Sequence, residues 1–418
     1  MKKRKHFGIK LILAAAVVIF VAANVPEMSS SAVTLLRKVI PWKVSEQDVA
    51  GQEAVSSNPQ RYEEHMGGVQ GMEGLTETAD GEDDAEQSPS FGCYVYGTLG
   101  EEERKVYDEI YQAIDSHASK VRVDTLDQKV LEHAYRAVMA DHGEIFWVSG
   151  YVYTRYTMGV QTVGLDFAPE YTMTLEERET FQTQIDAAVQ EILAGAAGAA
   201  GDYEKAKYVF EYLAQNVDYE TGAPDNQNII SVFLNRSTVC QGYANATQYL
   251  LTLLGIQSAV VTGTAEGEAH AWNLVRLDGD YYFIDTTWGN SAYNNGTDEE
   301  TSFVNYNYFA VTTEEIEKTH RADEFPTLPV CTAVEDNYYR REGKYFSEWN
   351  PDAIGSVYAR AYDAGEGRAA VKFSSSELYA QAKRYLLDEQ HILDYCSGLT
   401  TLSYIEDTQQ KVLILNFS

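Results

Sequence analysis

Cys240, His270 and Asp285 follow one another at intervals of 30 and 15 residues. They are the side-chain types from which a thiol nucleophile, its base and the group that orients that base are made. Such a set could pass a proton from sulfur to imidazole, attack an acyl carbon and carry the acyl group as a thioester. A lone cysteine is ordinarily a small buried hydrophobe, so the case rests on the elements that would hold the three together.

Residues 237–254 read as a helix. Ser237 or Thr238 can cap it, Tyr243, Thr247, Leu250, Leu251 and Leu254 recur at helical spacing, and Gly255 supplies a stop. Cys240 then falls in the first turn, where free backbone N–H groups and the positive end of the helix dipole favour a thiolate. Gly242 and Ala244 add little bulk, so a strand could approach on that side. Residues 270–277 and 281–288 are rich in aromatic and β-branched residues, and Asp278-Gly279 between them signals a two-residue hairpin loop. That loop pairs Leu277 with Asp280, His270 with Thr287 and Trp272 with Asp285. His270 and Asp285 then project from one face as diagonal neighbours, about 7 Å apart at Cβ. A three-residue loop without a bulge would put them on opposite faces.

The runs C-Q-G-Y-A at 240–244, H-A-W-N at 270–273 and D-T-T-W at 285–288 resemble the catalytic core of the transglutaminase-like superfamily, particularly its exported bacterial members. The resemblance is specific over about 200–310 and diffuse from about 93 onward. It implies that Cys240 is the nucleophile, His270 the general base and acid, and Asp285 the residue that holds the imidazole. The implied fold is α+β and papain-like, a cysteine-bearing helix on an antiparallel sheet. Trp272, Tyr243 and Gln227 are read as lining the substrate groove, with a core role the alternative for Trp272. The backbone N–H of Cys240 is the first oxyanion donor, and Asn226, Gln227 or Asn228, on the loop from Thr221 to Asn228, could supply a second.

The remaining residues set outer limits. With 418 residues, 44% of them hydrophobic, the chain can bury several cores. A formal net charge of -31 argues against nucleic acid and against binding of the folded part to anionic lipid. Cys93, Cys240, Cys331 and Cys396 include no C-x-x-C, the proposed chemistry needs no metal or cofactor, and Cys93, Cys331 and Cys396 are read as buried small residues. Lys2, Lys3, Arg4, Lys5 and Lys10 precede the apolar run Leu11 to Ala23, which reads as an export signal or membrane anchor over 1–23. An acidic, disordered linker is expected over 24–90, a helical and β region over 91–200, the core over 201–330 and a small α/β module over 331–418. His142, in Asp141-His142-Gly143-Glu144, is read as a loop residue because no nucleophile accompanies it in the sequence.

Two readings of different class follow. One is an extracytoplasmic cysteine enzyme attacking amide bonds in a protein or peptide substrate, by hydrolysis in preference to crosslinking by a transamidase. The other is a surface module that keeps the fold for protein binding alone. All three triad positions are present, which favours the enzyme.

Overall fold

The computed structural model describes residues 92–158, 160–290 and 303–417 in full, and residues 43–47 by their backbone pairing. The expected export signal, most of the linker and the polar stretch 291–301 lie outside the described residues. Within the segment expected to be a disordered linker, Lys43–Gln47 forms strand β1. Sequence composition does not reveal it, because its hydrogen-bonding partner is a sheet edge more than a hundred residues away.

The first globular part opens with helices α1 (Tyr94–Thr98) and α2 (Glu101–Asp115), strand β2 (Val121–Val123) and helix α3 (Gln128–Asp141). Helix α2 buries Val106, Ile110 and Ile114, the spacing that predicts it. Leu126 does not join the core. Asp127 caps α3 by accepting from the Lys129 N–H at 2.8 Å, so the helix starts beyond Leu126 and leaves it exposed. Long strands β3 (Val148–Met158) and β4 (Gln161–Tyr171) follow, and the sheet runs β1-β3-β4-β2. Ile145 to Trp147 are a buried irregular segment. Helix α4 (Leu175–Gly195) begins at the capping box of Thr174 and Glu177. Helix α5 (Asp202–Asn216) is entered from Gly201, which makes Asp202 its first helical residue and not its cap.

The central part is built to hold one helix on one sheet. Short parallel strands β5 (Asp218–Tyr219) and β6 (Ser237–Thr238) bring the chain to α6 (Cys240–Leu253), which ends where Gly255 turns left-handed at φ 79°. Strands β7 (Ser258–Ala265), β8 (Glu268–Leu277) and β9 (Asp280–Ile284) form a meander. After it come a single helical turn α7 (Thr286–Gly289), another at α8 (Thr313–Ile316) and edge strand β10 (His320–Ala322). The sheet order is β10-β7-β8-β9, antiparallel throughout. Helix α6 lies across β7 and β8, where Ala244, Val260 and Ala271 meet and the Asn273 amide donates to the Ala244 carbonyl at 2.9 Å. This is the papain-like plan, in an α+β chain.

Phe303 to Val311 contains a tight helical turn at Tyr306–Tyr308 flanked by isolated bridges at Val304 and Val311. Asn305 starts that turn by accepting from the Asn307 N–H at 3.1 Å, a local bond that wins over the ladder. The last part contains α9 (Tyr338–Arg341), β11 (Tyr345–Phe346), α10 (Pro351–Asp363), β12 (Arg368–Phe373), α11 (Ser376–Lys383), α12 (Ile392–Tyr395), β13 (Leu402–Asp407) and β14 (Val412–Phe417), with sheet order β11-β12-β14-β13. Strand β14 is buried on both faces: Leu413 and Leu415 enter the core of this last part, while Val412 and Ile414 join the main core.

Candidate active site

Cys240 is the first residue of α6, and Val239 before it is extended. Neither Ser237 nor Thr238 caps the helix. Thr238 donates its hydroxyl proton to the Asn226 carbonyl at 2.9 Å, and Ser237 donates to Glu220 at 2.9 Å. The N–H groups at this end, with the positive pole of the helix, therefore stay beside the Cys240 sulfur. Gly242 is required here, since a Cβ would run into the Thr238 hydroxyl. The sulfur is partly exposed, as a nucleophile must be.

The hairpin that carries the imidazole has the register its loop dictates. Asp278 and Gly279 adopt φ of 48° and 106°, the left-handed pair of a two-residue turn, and Leu277 pairs with Asp280. The ladder continues to Asn273 opposite Ile284 and then stops. The strand expected over 281–288 is thus cut short, and the pairs His270–Thr287 and Trp272–Asp285 do not form. Asp285 instead caps α7, its Oδ1 accepting from the Trp288 N–H at 3.1 Å. An aspartate followed three residues later by an available N–H makes this bond locally, before any cross-strand partner is found. The other oxygen is left for the triad: His270 Nε2–H donates to Asp285 Oδ2 at 2.8 Å.

With Nε2 committed to the carboxylate, Nδ1 is the ring nitrogen left for the Cys240 thiol, which lies close enough to the imidazole to raise its proton affinity. Burial works to lower the proton affinity of His270. The Asp285 carboxylate and the Cys240 sulfur outweigh it and hold the imidazole protonated well above its ordinary range. Asp285 is fully buried, and burial would raise it, yet His270 and His320 keep it ionised well below the usual carboxylate range.

His320 has no counterpart in the sequence reading. It pairs with Ala265 at the start of β10, is buried, and its Nε2–H donates to the same Asp285 Oδ2 at 3.1 Å. Its Nδ1 lies 2.7 Å from the Thr319 hydroxyl. No local pattern marks it, because the strand that delivers it lies 35 residues beyond Asp285 and is three residues long. The donor atoms of His270, Asp285 and His320 lie within 4.8 Å of one another, a set that could hold a metal ion. Both nitrogens are spent on one carboxylate oxygen, and the thiol chemistry needs them there.

The three residues assigned to a groove separate. Trp272 is buried behind the imidazoles, 4.9 Å from His320 between ring centres, and walls a cavity of about 290 Å³ with Phe283, Ile316 and Leu328. Tyr243 is a core residue on the inner face of α6, its hydroxyl donating to the Val217 carbonyl and accepting from the Asn290 amide at 3.1 Å. Gln227 alone is exposed, and it borders a cavity of about 210 Å³ with Gln241, Asn245 and Phe146 beside the start of α6. Asn226 and Asn228 are engaged locally, one donating to the Thr221 carbonyl and the other accepting from the Ile230 N–H.

Residues 187–286 match the family model of the transglutaminase-like superfamily, a stretch that includes Cys240, His270 and Asp285. This segment is similar to the transglutaminase-like core. The kyphoscoliosis peptidase of Mus musculus is 24% identical over 128 residues, 27% of this chain and 19% of that protein. That of Homo sapiens is 25% identical over 125 residues, 26% of this chain and 19% of that protein. The chain thus spans about a fifth of the length of these curated relatives. A solved structure described as a TGase is 17% identical, with a TM-score of 0.25, over 34% of this chain and 44% of that one. Within the matched stretch, Cys240, His270 and Asp285 bring together a thiol, an imidazole and a carboxylate.

Proposed function

We propose that this protein is an extracytoplasmic cysteine hydrolase that cleaves amide bonds in protein or peptide substrates through a thioester on Cys240. The carrying observation is the buried His270–Asp285 pair, at 2.8 Å, facing a partly exposed thiol at a helix start. The imidazole holds the proton given up by sulfur, the thiolate attacks the amide carbonyl, and the Cys240 N–H, which has no intrahelical partner as the first helical residue, faces the oxyanion. His270 then protonates the leaving nitrogen, and a water deprotonated by His270 resolves the thioester.

Hydrolysis is preferred to crosslinking because an amine outruns water only in a closed apolar passage. Trp272 and Trp288 are buried against His270 and His320 and are packed into the core. The nearby surface that carries Gln227 is polar. Incubation with a glutamine-containing protein mixture and a labelled primary amine, followed by mass spectrometry, is expected to give Cys240-dependent cleavage or deamidation in excess of amine incorporation. Incorporation that outpaces both would make the protein a crosslinking enzyme.

The location rests on the basic residues ahead of the apolar run Leu11 to Ala23. Among the described residues, no helix is long and apolar enough to cross a membrane. Residues 1–90 fused to a reporter that is active only after export are expected to give signal. An inactive fusion with a folded reporter left in the cytoplasm would remove this part of the proposal.

A further inference from the structure

The turn Asp141-His142-Gly143-Glu144 is not the isolated loop that its sequence suggests. His142 is 6% exposed, and its Nδ1 is held by Glu144 Oε1 at 2.7 Å. Its other nitrogen, Nε2, is buried and makes no completed hydrogen bond. Burial works against protonation of the ring, and the Cys93 thiol, held near it through the Asp141 contacts to α1, raises its proton affinity together with Glu144. Cys93, expected to be a buried small residue, is partly exposed.

The surroundings fix this geometry from several sides. Tyr111 stacks on the His142 ring with centroids 4.3 Å apart. The Gly143 N–H donates to Gln248 Oε1 at 2.8 Å, which anchors the turn to α6 about 12 Å along that helix from Cys240. Asp141 accepts from the Val95 N–H at 2.9 Å and the Tyr96 N–H at 2.8 Å, which pins α1 and with it Cys93 at the start of α1.

We propose that Cys93, His142 and Glu144 form a second thiol–imidazole–carboxylate site, apart from the one at Cys240, which reacts with low-molecular-weight disulfides. The choice of sulfur chemistry over acyl transfer follows from Asp141. The Val95 and Tyr96 N–H groups are spent on its carboxylate, whereas no side chain caps the start of α6, so an oxyanion beside Cys93 has fewer backbone donors than one beside Cys240. Attack on sulfur forms no oxyanion and needs no such donors. Cys93 loses its thiol proton to His142 Nε2, and the thiolate attacks one sulfur of R–S–S–R. The S–S bond of the reagent breaks as the bond to Cys93 forms, and the departing thiolate takes the proton from Nε2. The Cys93 sulfur is oxidised, one reagent sulfur is reduced, and the products are the mixed disulfide and RSH.

The site also selects charge. Glu144 and Asp141 both stand beside the pair, while Arg178, which acts on Tyr111, is bound to Asp115 at 2.9 Å. A cationic disulfide is therefore favoured over an anionic one.

The full chain is treated with cystamine or with dithiodiglycolate, and modification of each cysteine is followed over time by peptide mass mapping. Cys93 is expected to take up cysteamine at least about tenfold faster than it takes up the anionic reagent, and faster than buried Cys331 and Cys396. His142→Gln is expected to slow Cys93 by about tenfold or more while labelling of Cys240 by iodoacetamide is unchanged. Unchanged Cys93 kinetics in that variant, or equal rates with the two reagents, would overturn the site. If His142→Gln also loses Cys240 labelling and so has lost its fold, Glu144→Gln decides. Slower Cys93 modification supports the site, and an unchanged rate overturns it.

Discussion

Cys240→Ala is expected to abolish amide cleavage, with a fall in kcat on the order of 10⁶ from which only binding and backbone N–H effects survive. The substitution removes a partly exposed sulfur at the first position of α6, where alanine is a good helix former, so the fold should be kept. The loss would then belong to chemistry and not to stability. Two measurements separate them: the thermal unfolding midpoint, expected to move little, and iodoacetamide labelling, expected to vanish at Cys240 alone. Cys331 offers no competing nucleophile, because burial pushes its thiol up to about 12. Full activity in the alanine variant would leave the proposed function without its nucleophile.

Asp285→Asn should cost on the order of 10²–10⁴ in rate. The aspartate serves three donors at once, the Trp288 N–H at one oxygen and the His270 and His320 Nε2–H groups at the other. Asparagine has a single acceptor oxygen. If that oxygen keeps the cap, the amide N–H₂ is turned on two imidazole N–H groups, and His270 must move its proton to Nδ1, where it opposes the thiol. If the amide flips, the cap is lost at a cost of about 1 kcal/mol. Both routes also withdraw the negative charge that holds the imidazolium. kcat/KM and the unfolding midpoint, measured together, check this. A variant within a few-fold of wild type would show that the carboxylate charge is dispensable and would turn attention to His320 as the group that holds the imidazole.

What could be read in advance follows how local its cause is. The helix after Cys240 and the two-residue turn at Asp278-Gly279 depend on neighbours within a few positions, and that turn sets the register as far as Asn273 opposite Ile284, the residue before Asp285. Asp285 as a helix cap was also locally encoded, in D-T-T-W, but the β-branched and aromatic residues around it pointed to a continued strand. His320, Cys93 and the inward turn of Tyr243 could not be read, since each depends on a partner delivered by a distant element. His320 needs the edge of β7, Cys93 needs the turn after α3, and Tyr243 needs the carbonyl of Val217. For the same reason Trp272 reads as a groove residue with a core role as the alternative, and it is the core that takes it.

Strand β14 gives alternate side chains to two cores, and the terminal sheet is further tied to the region before His320. Lys372 Nζ lies 2.6 Å from Glu315, and the Gln409 side chain donates to the Lys318 carbonyl at 2.9 Å. Ending the chain ahead of residue 412 would therefore open the main core at Val412 and Ile414 as well as the sheet they belong to. Opening of the terminal sheet and opening of the catalytic core should consequently be one cooperative event, with amides of β8 and β14 sharing a single protection class in hydrogen exchange. The core that supports the candidate site thus includes residues of β14, and trimming to residues 187–286 would isolate a family signature without isolating a foldable unit.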